Sequence, residues 1–144
     1  MDKQDTVKLL RECDAGVKMG IRSIDDVLDK VSSDGLKECL TGCRSDHDAL
    51  NGEIKRELDA YGDEGKDPAV IARGMSWIKT GVEMLIDDSD STIADLMTDG
   101  CNMGIKSLHR YLNQYKAADE RSKALAKKLA ALEEQLVRDM RRYL

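Results

Sequence analysis

The sequence predicts an all-α protein: a single four-helix up-down bundle over residues 1–144, built from two copies of one helical hairpin. Three observations lead there. The 144 residues include one proline, no phenylalanine and 3% aromatics, a composition poor in strand-forming and helix-breaking side chains. Apolar residues recur in alternating steps of three and four over long stretches, the signature of helices with one buried face. The phrase MGIRSIDDVL at 19–28 returns as MGIKSLHRYL at 103–112.

The first helix is expected over 3–31, with Val7, Leu10, Val17, Ile21, Ile24, Leu28 and Val31 on its core face and Asp14 filling the one gap. Ser32-Ser33-Asp34-Gly35 is a short turn that offers side chains to cap the next helix. That second helix, about 34–61, repeats the pattern at Leu36, Leu40, Cys43, His47, Leu50, Ile54 and Leu58, and ends at Tyr61-Gly62. Together they form the first hairpin, 3–61. Residues 62–90 are too many for a tight turn and are expected to cross the length of the bundle. Pro68 there opens a short helix over 68–87. A second hairpin, 91–143, follows, its helices at about 91–115 and 119–143. The last carries Leu125, Leu129, Leu132, Leu136, Met140 and Tyr143, with Glu133, Glu134 and Asp139 on a solvated outer face.

A shift of 84 superposes the third helix on the first, and a shift near 89 superposes the fourth on the second. Gly16, Gly20 and Ser23 then match Gly100, Gly104 and Ser107, all on one helical face. A mid-helix glycine costs about 1 kcal/mol relative to alanine, so four need an offsetting gain. The expectation is that these six residues let the first and third helices approach backbone to backbone.

Net charge is −5, unevenly spread: residues 1–99 carry 13 Lys/Arg against 23 Asp/Glu, and residues 100–144 carry 10 against 5. An acidic body with a basic last helix suggests complementarity between helices and argues against nucleic acid as partner. No apolar run reaches the roughly 18 residues of a membrane span, and the polar opening MDKQDTVKLLRECD is unlike a signal peptide. A cytoplasmic protein with four reduced cysteines, at 13, 39, 43 and 101, is the expectation.

Cys39, Cys43 and His47 stand one turn apart on one helix, and Asp14 could approach from across the hairpin, so these four are the candidate metal ligands. No nucleophile, base and orienting group can be assembled around the two histidines, and no glycine-rich phosphate loop follows a strand. Met75, Trp77 and Met84 enrich the crossover in soft apolar groups and form the candidate interface, for a second copy of the chain or another protein.

Two copied hairpins joined by a long crossover resemble the plan of the ferritin-like four-helix bundles, over nearly the whole chain. The likeness is narrower to bacterial ferritin-like proteins of unknown function. Their second half opens with a tryptophan-bearing segment, here MSWIKTGVEMLI at 75–86, and continues as IADLMTDGCNMGIKSL at 93–108. The di-iron members of that superfamily need Glu-x-x-His motifs. Here Arg44 stands three residues before His47 and Lys106 three before His109, so the motif is missing. The sequence therefore points to a non-enzymatic bundle without cofactor that acts through protein contacts or self-association. The alternative is a ferritin-like protein binding a transition metal through Cys and His in its core.

Overall fold

Each helix begins where a short polar side chain turns back onto its first free backbone N–H groups. In the computed structural model, which describes residues 2–65 and 89–144, Asp2, Ser33, Ser89 and Asp119 are the four N-caps. They open α1 (Lys3–Leu28), α2 (Asp34–Ala60), α3 (Asp90–Gln114) and α4 (Glu120–Met140), and a 3₁₀ turn, Arg141–Tyr143, closes the chain. The described residues hold four helices and no strand, in agreement with an all-α bundle. None of these helices is long and apolar enough to cross a membrane. The crossover helix expected at 68–87, with Met75, Trp77 and Met84, lies outside the described residues.

The helix ends differ from expectation by small amounts with clear causes. The first helix stops at Leu28, three residues early, because the N–H groups of Ser32 and Ser33 donate to Asp90 Oδ1 and Oδ2 (2.9 and 2.8 Å) at the start of α3. Val31 is still buried, as a turn residue. At the opposite end, Ala117 N–H donates to Asp5 Oδ2 (3.2 Å) and Asp119 N–H to Thr6 Oγ1 (2.8 Å). Each hairpin's turn is thus held by the first turn of the other hairpin's leading helix.

These bonds fix the topology. The segment after α2 returns to the start of α1, where Asp63 accepts from Arg11 Nη2 at 2.6 Å. Yet α3 begins beside the α1–α2 turn, at the far end of the bundle. Helices α1 and α2 pack along each other, as do α3 and α4; α2 also lies along α4, and α1 touches both α3 and α4. The α2–α4 seam explains the uneven charge. Glu53 meets Lys128 (3.0 Å) and Arg121 (3.7 Å), and Glu57 meets Arg121 (3.4 Å), so the basic last helix answers acidic α2. Such solvent-exposed pairs each contribute at most about 1 kcal/mol.

The buried stripe of α2 is the expected one, with Cys43 half-buried. On α1, Leu10, Asp14, Val17 and Ile24 are buried as expected, but the stripe is turned slightly: Thr6, Leu9, Cys13 and Val27 are buried too, while Val7, Ile21 and Leu28 are only half-buried. On α4, Glu133 is buried, which corrects its placement on the solvated face. Both differences have one source, described below.

Asp90 is the carboxylate on which the upper turn depends. Asp90→Ala strands two backbone donors and is expected to lower the unfolding free energy by about 1–3 kcal/mol in urea titration. Asp95→Ala, on the exposed side of the same helix, should change it by less than about 0.5 kcal/mol.

Candidate functional site

Among the described residues the apolar core forms two large clusters, with Ala15 and Met19 packed apart from both. One cluster gathers Leu9, Leu10, Val17, Leu50, Ile54, Leu108, Leu125 and Leu129; the other gathers Ile24, Val27, Leu36, Leu40, Ile93, Met97, Leu136 and Met140. In every helix a gap separates the two sets, and the gap holds Gly20 on α1, His47 on α2, Gly104 on α3 and Glu133 on α4. These four residues form a polar layer at mid-height.

The layer is built twice by one rule. A Cβ added to Gly20 would stand 2.7 Å from Cδ2 and Nε2 of the His47 ring. One added to Gly104 would stand 2.6 and 2.7 Å from the two carboxyl oxygens of Glu133. In each hairpin the leading helix supplies a glycine notch and the returning helix fills it with a polar side chain. Gly16 is similar, with Leu129 of α4 at 3.3 Å from its missing Cβ.

This corrects the expectation for the glycine stripe. Gly16, Gly20 and Gly104 admit side chains of α4, α2 and α4, so the space is filled by Leu129, His47 and Glu133 and not by the backbone of the opposing leading helix. Ser23 Oγ donates to its own helix at the Met19 carbonyl (2.8 Å), and Gly100 and Ser107 are half-buried on α3. The register of the repeat changes as well. Caps Ser33 and Asp119 and notch-fillers His47 and Glu133 are both 86 positions apart, in place of the 89 read from the leucine pattern.

His47 is 1% exposed, and its Nδ1 lies 2.8 Å from the Cys43 carbonyl. A carbonyl only accepts, so Nδ1 carries the proton and Nε2 the lone pair. Burial pushes the imidazole below its ordinary range, and the Cys43 carbonyl offsets part of that shift. Glu133 is 8% exposed, and its Oε2 has no hydrogen-bond partner. Burial raises its carboxyl to about 8, so the acid is mostly neutral at pH 7. Around it, burial first and then nearby acidic groups, Glu133 among them, push the Cys43 thiol up to about 12 and Cys101 higher still. Cys13, deeper in the lower cluster, is also raised to about 12. All four cysteines are free.

The four candidate metal ligands do not converge. Cys43 Sγ lies 3.5 Å from His47 Nδ1, but that nitrogen is taken by the carbonyl and the rest of the ring faces Gly20. Asp14 sits six residues before Gly20, about 9 Å along the helix, where it accepts from Lys18 Nζ (2.9 Å). It also lies against Gly65, whose φ of 93° and missing Cβ make room for the carboxyl. Among the described residues no group of three or more His, Cys, Asp or Glu side chains is arranged to hold a metal ion. Cys39 and Cys43 instead line a groove of about 250 Å³ between α2 and α4, with Glu38, Gly42, Asp46, Gln135 and Asp139 at its walls. Sequence reading missed Glu133, because a charged residue next to Glu134 on a Lys-rich helix carries the pattern of a surface position.

No protein-family model, curated protein or solved structure is matched by this chain.

The notch is testable by a mutant cycle. Gly20→Ala is expected to destabilise by about 1–3 kcal/mol through overpacking. Adding His47→Ala should recover part of that loss, giving a coupling of at least about 0.5 kcal/mol. Additive effects would show that ring and notch are independent.

The Glu133 carboxyl gives a second test, with a defined sign. Its folded value, about 8, lies above the ordinary 4.5, so the folded state holds the extra proton between them. Its contribution is intact below pH 4.5, declines as pH rises and is gone above about 8. At about 1.4 kcal/mol per pH unit, the decline amounts to a few kcal/mol at most. Wild-type stability minus that of Glu133→Gln, by urea titration from pH 5 to 9, should fall by that amount; a flat difference would contradict the burial of an acid here.

Proposed function

We propose that this chain is a non-enzymatic helical bundle that works through protein contact, with a second copy of itself as the partner to test first. The repeated phrase carries the strongest support. Ile21 and Ile105, equivalent residues of its two copies, stay half-exposed and belong to neither of the two large apolar clusters of the described residues. Met103, beside Gly104, is 56% exposed. Apolar surface left outside a core drives association when a matching surface covers it.

The chemistry of the polar layer supports the non-enzymatic half of the reading. His47 spends one nitrogen on a carbonyl, the raised Cys43 and Cys101 thiols are poor nucleophiles, and Glu133 Oε2 has no hydrogen-bond partner among the described residues. A core site for a transition metal has less support, since Asp14 pairs with Lys18 away from His47. Kinship with ferritin-like bundles belongs to the same proposal, supported by two stacked hairpins whose second copy starts at the far end from where the first finishes. A cytoplasmic setting is part of it too, supported by four free thiols.

Sedimentation velocity at micromolar concentrations is the test. The wild type should sediment at twice the 16.0 kDa monomer mass. Ile21→Glu/Ile105→Glu should sediment as a monomer with unchanged far-UV circular dichroism. A wild type that stays monomeric throughout overturns self-association.

A further inference from the structure

We infer that the groove between α2 and α4 is a binding site for one thiophilic, two-coordinate d¹⁰ cation of the copper(I) or silver(I) kind, with Cys39 and Cys43 as its ligands. The inference goes beyond the proposed function and does not depend on it.

Geometry comes first. Residues four apart on a helix carry Cβ atoms about 5–6 Å apart. Two collinear metal–thiolate bonds of about 2.3 Å span about 4.6 Å, which ordinary side-chain rotation can reach from that spacing. Both cysteines are half-buried and both line the groove. The α2 wall is open between them, since a Cβ on Gly42 would meet nothing within 4 Å.

The electrostatics select a cation. Glu38 and Asp46 of α2 and Asp139 of α4 line the groove, and among the described residues no lysine or arginine does, although α4 is the most basic helix. Asp139 is held in place by Gln135, whose Nε2 donates to it at 2.9 Å, while Arg138 is turned onto Gln135 Oε1 (3.0 Å). The floor, Leu132 and Leu136, is apolar. Soft sulfur ligands against an apolar floor favour a soft ion over a hard one.

Coordination number narrows the choice further. Among the described residues no third Cys, His, Asp or Glu is placed to complete a larger set, which leaves a tetrahedral zinc ion two ligands short. Two thiolates suffice for a d¹⁰ monovalent ion. Each sulfur that binds releases one proton to the buffer, two bonds to the metal replace two S–H bonds, and no electron is transferred.

The test is anaerobic titration of the folded chain with the copper(I)–bicinchoninate complex, read by loss of the complex's visible absorbance. The wild type should withdraw one equivalent, release two protons in weakly buffered solution and keep its far-UV spectrum. Cys39→Ser and Cys43→Ser should each abolish that uptake, whereas Cys13→Ser/Cys101→Ser should retain it. Because Cys39 and Cys43 both pack against the upper cluster, the alanine variant decides the matter should either serine variant unfold. Undiminished uptake by folded Cys39→Ser, or zinc(II) competing on equal terms with copper(I), would overturn the assignment.

Discussion

Two polar side chains are buried at mid-height because two glycines leave nowhere else for that volume to be filled. An ordinary residue at position 20 or 104 would bring its Cβ within 3 Å of His47 or Glu133, a distance that close-packed interiors do not sustain. Much of the remaining architecture follows from this constraint. The layer divides the apolar core into an upper and a lower cluster. It also sets the level at which each hairpin closes and turns α1 so that Gly20, and not Ile21, faces inward. The glycine cost anticipated from sequence is met by side-chain packing within each hairpin, a different gain from close helix backbones.

The two copies of the layer have diverged in chemistry while keeping their geometry. His47 is anchored by a backbone carbonyl one turn back and stays neutral through burial. Glu133 has an oxygen without a partner and remains inside because it holds its proton. Neither arrangement leaves an ion in the dry interior, where an uncompensated charge is costly. Both are compatible with a core whose polar groups specify register more than reactivity.

Above and below the layer, the hairpins hold one another by their ends. Asp90 receives the turn of the first hairpin, and Asp5 and Thr6 receive that of the second. The acidic α2 and basic α4 lie side by side along their lower halves, where the ion pairs gather. Toward the upper end the same seam loses its basic partners and becomes the thiol-lined acidic groove. Charge patterning along one pair of helices thus separates a structural stretch from a stretch available to a ligand.

Periodicity, turn residues and repetition determined a great deal unaided. The four described helices, the capping residue Ser33, the core face of α2 and the duplication all follow from local rules that hold whatever the helices pack against. The mid-height layer could not be read that way. Glycine contributes no apolar signal, so the pattern on α1 slid onto Ile21; Glu133 resembles any charged residue on a Lys-rich helix until its neighbours are known. Whether a notch is filled by a backbone or a side chain, and whether Asp14 meets His47 or Lys18, depends on how helices distant in sequence rotate and rise against one another. Those are tertiary quantities, set by side-chain volumes summed over the whole interface and written in no single stretch of the chain.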